Sequence, residues 1–86
     1  MIYLDKILVD IYVPAINKNF DVYISFKSKF YDVVGMVSSI VEEISDSNFI
    51  ASEDAVLCNG LTGAIYNVNM SSEELGLING SKLMLI

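Results

Sequence analysis

Few side chains in this sequence could make or break a bond. It holds no histidine, the usual general base at neutral pH. Its one cysteine, Cys58, therefore has no imidazole to take its proton. Cys58 stands in "AVLCN", an apolar strand-like run where a small buried hydrophobe is the expected role. A single thiol makes neither an internal disulfide nor a multi-cysteine iron–sulfur cluster, and it suits a reducing compartment. Carboxylates are plentiful, but "DSNFIASED" lacks the ligand spacing of a calcium loop and reads as a solvated loop. "NGLTG" lacks the Lys-Ser/Thr of a phosphate loop and opens no helix. Glu42 and Glu43 fall on the outward side of a helical pattern. The expectation is a protein with no catalytic residues, cofactor or metal.

The bulk properties narrow the classes further. At 86 residues the chain is expected to form one domain, 1–86. Apolar residues make up 53% of it, high for so short a chain, so part of that surface is expected to lie exposed or in an interface. The net charge is −6, and the five basic residues are all lysines, scattered along the sequence. Without a basic stripe, binding to nucleic acid or docking on an anionic membrane is disfavoured. The opening "MIYLDKILVDIYVPA" is apolar enough to suggest a secretory leader, but Asp5, Lys6 and Asp10 interrupt it and no basic stretch precedes it. No window approaches the ~18 apolar residues of a membrane span. A cytosolic protein is expected.

The elements follow from periodicity. In "KILVDIYVP", Ile7, Val9, Ile11 and Val13 alternate with Leu8, Asp10 and Tyr12, a strand pattern that Pro14 ends. "AINKN" is a turn, and "FDVYISF" alternates again through Phe20, Val22, Ile24 and Phe26, completing an antiparallel hairpin. In "SKFYDVVGMVSSIVEEISDS", Phe30, Val33, Val37, Ile40, Val41 and Ile44 take helical spacing. Ser28 is placed to cap that helix and Asp32 to complement its dipole. The β-branched residues weaken helix propensity, so packing must hold the helix. Gly35 suggests a close approach to a strand. "AVLCN" and "AIYN" read as short strands about the turn "GLTG". In "MSSEELG", Ser71 and Glu74 have capping-box spacing and Gly76 suits the stop. Asn79-Gly80 is a tight-turn signal, and Lys82 to Ile86 form a last strand. The order is β-β-α-β-β-(short helix)-β. It predicts an α+β fold, a mixed sheet of about five strands with one long helix on one face.

That order is the order of the β-grasp. The opening hairpin, the central helix and above all the closing "MSSEELGLINGSKLMLI" resemble the YukD/EsaB group of small ubiquitin-like proteins. The resemblance covers nearly the whole chain and lies in pattern and spacing. It implies a non-enzymatic, cytosolic accessory or regulatory component of the type VII (ESX-like) secretion systems of Gram-positive bacteria. The partner it implies is a protein, such as a membrane component or ATPase of that machine. Ubiquitin-like carriers are similar in fold and work through a bare Gly-Gly carboxylate. The sequence given closes on Leu85-Ile86, so carrier chemistry is not expected.

What remains is surface. If Ile7, Val9, Ile11, Val13, Val22 and Ile24 face the helix, period two sends Leu8, Tyr12 and Tyr23 to the opposite face of the sheet. Leu83 and Leu85 then point inward, leaving Met84 and Ile86 outside. The same alternation puts Leu57 outside. An open sheet face bearing Leu8, Tyr12, Tyr23, Leu57, Met84 and Ile86 is expected to bind a protein partner, with Asp10 and Asp21 tuning its choice. The alternative use of that face is a homodimer.

Overall fold

The structure, a computed structural model, describes residues 5–86. The first residues of the run weighed as a leader, 1–4, lie outside it. Strand β1 (Lys6–Val13) is followed by a 3-10 turn (Pro14–Ile16), strand β2 (Lys18–Ser25), helix α1 (Phe30–Ile44), strand β3 (Leu57–Asn59) and strand β4 (Lys82–Leu85). The sheet order is β2-β1-β4-β3. The central pair β1–β4 is parallel, and the outer pairs β1–β2 and β3–β4 are antiparallel.

The hairpin forms where alternation placed it, although β2 begins earlier, at Lys18. Asn17 makes the early start possible. It takes a left-handed backbone (φ 50°), which an Asn side chain tolerates, and its N–H donates to the Pro14 carbonyl at 3.1 Å. One face of every strand is buried. Ile7, Val9, Ile11 and Val13 from β1, Val22 and Ile24 from β2, and Leu83 and Leu85 from β4 pack against Phe30, Val33, Val37 and Val41 of α1. Ile44, expected in the helix's apolar stripe, is 50% exposed, because α1 ends there.

The helix departs from expectation at its start and its middle. Ser28 does not cap it: the Ser25 and Ser28 hydroxyls bond each other at 2.8 Å, and the capping residue, Lys29, makes no side-chain cap bond. The first helical N–H groups find partners far along the chain instead. Phe30 N–H donates to the Met70 carbonyl at 2.7 Å and Tyr31 N–H to the Val68 carbonyl at 2.9 Å. Two of the orphan donors of the helix end are thus satisfied by a loop rather than a side chain. Gly35 brings no strand close, since a Cβ built there would meet no heavy atom within 4 Å. Its cost of about 1 kcal/mol against alanine has no return within the fold.

"AIYN" does not become a strand, and the described sheet has four strands rather than five. After β3 the Asn59 carbonyl accepts from Gly63 N–H and its N–H donates to Ala64 O, both at 2.8 Å. A single bridge then joins Cys58 to Ile65. Tyr66 turns away to set its ring edge-on against Phe30, with centroids 5.3 Å apart, and this contact draws the chain off the sheet.

The capping box forms reciprocally. Ser71 N–H donates to Glu74 Oε1 at 2.9 Å, and Glu74 N–H to Ser71 Oγ at 3.1 Å. Gly76 closes the turn at φ +79°. Ser71→Ala is expected to cost about 1 kcal/mol, seen in thermal melts as a fall of about 4–8 °C. The Asn79-Gly80 turn continues the parallel ladder. Leu8 N–H donates to Asn79 Oδ1 and Gly80 N–H to the Leu8 carbonyl, each at 2.8 Å. Gly80 has φ +89°, a conformation glycine takes without strain.

Candidate functional site

With α1 on one face, the sheet's other face is set by registry alone. Across the hairpin, Leu8 stands opposite Tyr23, Asp10 opposite Asp21 and Tyr12 opposite Asn19. Strand β4 adds Lys82 beside Asp10 and Met84 beside Tyr12. Cys58 stands opposite Met84, and Ile65 bridges to Cys58. Three rows result: an apolar pair Tyr23–Leu8, a charged row Asp21–Asp10–Lys82, and an apolar row Tyr12–Met84–Cys58–Ile65. Tyr23 is 61% and Ile65 69% exposed, while Leu8, Tyr12 and Met84 are half-buried. Ile86, 54% exposed, lies at the end of β4 and is tied by backbone bonds to Val56.

Leu57 does not belong to this face. It pairs with Leu85, shares that residue's inward direction and is 1% exposed in the core. Cys58 takes the outward register, yet it too is buried, with Sγ 3.5 Å from the Met84 carbonyl. Alternation could not separate them, because Val56, Leu57 and Cys58 are all apolar and no polar residue marks the outward side. Ile65 was missed on the face for a related reason: only its bridge to Cys58 places it there.

The charged row is not fully compensated. Asp10 accepts from Asn19 Nδ2 at 3.1 Å and from Lys82 Nζ at 3.3 Å. Asp21, directly across the strand pair, makes no ion pair among the described residues. Like charges opposed across an antiparallel pair are destabilising. A shallow depression of about 400 Å³ beside them is lined by Lys6, Leu8, Val9, Asp10, Asp21, Tyr23, Asn79 and Gly80.

Burial pushes the Cys58 thiol up from its ordinary value. Burial, then the Cys58 charge, also raises Tyr66, against a lowering hydrogen bond with Asn59. Between the ordinary and raised thiol values the unfolded chain has lost its proton while the folded chain keeps it. Stability is therefore expected to fall as pH rises past about 9, with Tyr66 extending the decline. Urea titrations at rising pH check this, and Cys58→Ala should remove the first part of the fall. Among the described residues, no group of three Cys, Asp or Glu side chains is placed to hold a metal ion. No described helix is long and apolar enough to cross a membrane.

A mixed sheet whose parallel centre joins β1 to β4, crossed on one face by a single helix, defines a ubiquitin-like β-grasp. No protein-family model matches the sequence, and no curated protein matches it. Solved structures do. The EccD5 ubiquitin-like domain from Mycobacterium xenopi superposes with a TM-score of 0.78 at 16% identity, covering 94% of this chain and 92% of that one. The ubiquitin-like domain of the Mycobacterium tuberculosis type VII secretion system protein EccD1 gives a TM-score of 0.78 at 13% identity, covering 96% and 99%. A chain of the MycP5-free ESX-5 inner membrane complex gives 0.79 at 13% identity, covering 96% of this chain and 21% of that chain. At these identities the likeness is one of fold.

Proposed function

We propose that the chain is a ubiquitin-like interaction module of the YukD/EsaB kind, an accessory or regulatory component of a type VII secretion system. It works without catalysis, in the cytoplasm, and reaches the membrane through a protein of the secretion machine. The observation that carries the reading is the open sheet face. Its apolar side chains Tyr12, Met84 and Ile65 and its Leu8–Tyr23 pair flank the acidic Asp10–Asp21 pair and are all at least partly exposed, while Cys58 in the same row is buried. Apolar strips beside a charged row suit a docking surface, where burial gives affinity and charge selects the partner. The likeness to a domain within an inner membrane secretion complex supports the choice of machine.

Tagged wild-type protein is expected to retain a secretion-machinery protein from detergent-solubilised membranes of the source cell, and Met84→Asp protein to lose it. Equal retention by both would remove the open face from the reading. Retention of nothing, with a tight dimer in light scattering, would assign the face to self-association.

A further inference from the structure

A second surface, on the far side of the molecule from the open sheet, has the form of a binding groove. It runs between one flank of α1 and the segment Ala51–Ala55, and encloses about 740 Å³, within the range of sites that receive a ligand or a partner's side chains. Its second wall is pinned to the helix, where Ala51 N–H donates to Glu42 Oε1 at 2.6 Å.

Two features of the groove are left unexplained by the fold. Ser38 lines it and is 2% exposed, yet its Oγ has no hydrogen-bond partner among the described residues. A buried hydroxyl in that state retains its desolvation cost. Gly35, in the middle of the helix, weakens α1 and makes room for nothing within 4 Å. Gly35 and Ser39 lie one turn apart on the same flank, and with Ala51 and Ala55 opposite they keep both walls low. The groove's charge is of one sign: Asp32 and Glu53 line it and no Lys does.

We infer that this groove receives a segment of a protein partner that carries lysine or arginine. The basic side chain meets Asp32 and Glu53, and the backbone of the segment approaches over Gly35. This surface is separate from the open sheet face, and either can stand without the other.

Photocrosslinking in the source cell tests it, with a benzophenone amino acid placed at Ser39 in one version and at Tyr23 in another. The Ser39 probe should give an adduct whose mapped peptide contains Lys or Arg. Its yield should fall about tenfold when Asp32→Lys and Glu53→Lys reverse the charge, while a Tyr23 adduct persists. Gly35→Leu should raise the melting temperature, since leucine is the better helix former and the site is open, and yet abolish the Ser39 adduct. A merely structural role for Gly35 would not produce that opposition. The inference is overturned if Ser39 gives no adduct, if the adduct is a second copy of this chain, if the mapped peptide has no basic residue, or if Gly35→Leu leaves the yield unchanged. Loss of the Tyr23 adduct alone would count against the sheet face and leave the groove standing.

Discussion

Phe30→Ala is expected to remove a large part of the domain's stability. Phe30 is fully buried, opens α1 and packs edge-on against Tyr66. Truncating a buried phenylalanine costs about 3–5 kcal/mol, because the cavity collapses only partly. The lost aromatic pair, worth ~0.5–1.5 kcal/mol, is part of that loss and places it toward the upper end of the range. A chain of 86 residues has a total stability of only about 4–13 kcal/mol. The backbone cap at Phe30 survives the change, since the N–H to Met70 remains, so the loss reports packing. Urea unfolding followed by circular dichroism measures it, and a loss below ~1.5 kcal/mol would contradict the placement of this ring at the centre of the core.

The second large effect is on binding. Met84→Asp is expected to weaken partner capture by roughly 30-fold or more, as for a central interface residue worth above ~2 kcal/mol. Met84 lies between Tyr12 and Cys58 in the apolar row. A carboxylate there would be desolvated on docking and would add to the charge of Asp10 and Asp21. The core residues Leu83 and Leu85 point the other way, so the fold should persist with a modest fall in melting temperature. Tyr23→Asp, at a side chain 61% exposed, guards against a folding artefact. It should weaken capture without moving the melt. Normal capture by both variants would exclude this face as the docking surface.

The architecture was most legible where a polar side marked the outward direction. In β1 and β2, Asp10, Tyr12, Asp21 and Tyr23 separate the inward residues cleanly, and Ile7, Val9, Ile11, Val13, Val22 and Ile24 are buried while Phe20 is partly so. In α1, of the six positions at helical spacing, Phe30, Val33, Val37 and Val41 form the buried inner stripe, while Ile40 is partly buried and Ile44 exposed. Legibility failed where the deciding partner was distant in sequence. Ser28 has the composition of a cap, but Ser25 takes its hydroxyl and the Val68–Met70 loop supplies the cap. "AIYN" has the composition of a strand, but the Phe30–Tyr66 contact bends it away. At the candidate face, Leu8, Tyr12, Tyr23, Met84 and Ile86 came from alternation, while Leu57 was misassigned because β3 is three residues long and apolar on both sides. The groove had no sequence signal beyond an unaccountable Gly35.

The loop that caps α1 also governs when the helix can exist. Its sequence is rich in β-branched residues, it has no side-chain cap of its own, and its first N–H groups wait for Val68 and Met70. Lys29 bridges to Ser71, and Glu73 N–H donates to the Phe26 carbonyl, so the whole start of α1 is stitched to that late segment. Nucleation of a short helix is costly on its own. During synthesis, then, the β1–β2 hairpin is expected to be marginal by itself, and the helix is expected to gain its N-terminal partners only once residues 66–73 have emerged. The core is then expected to complete late, and a nascent chain stalled before that point is expected to expose its apolar strands.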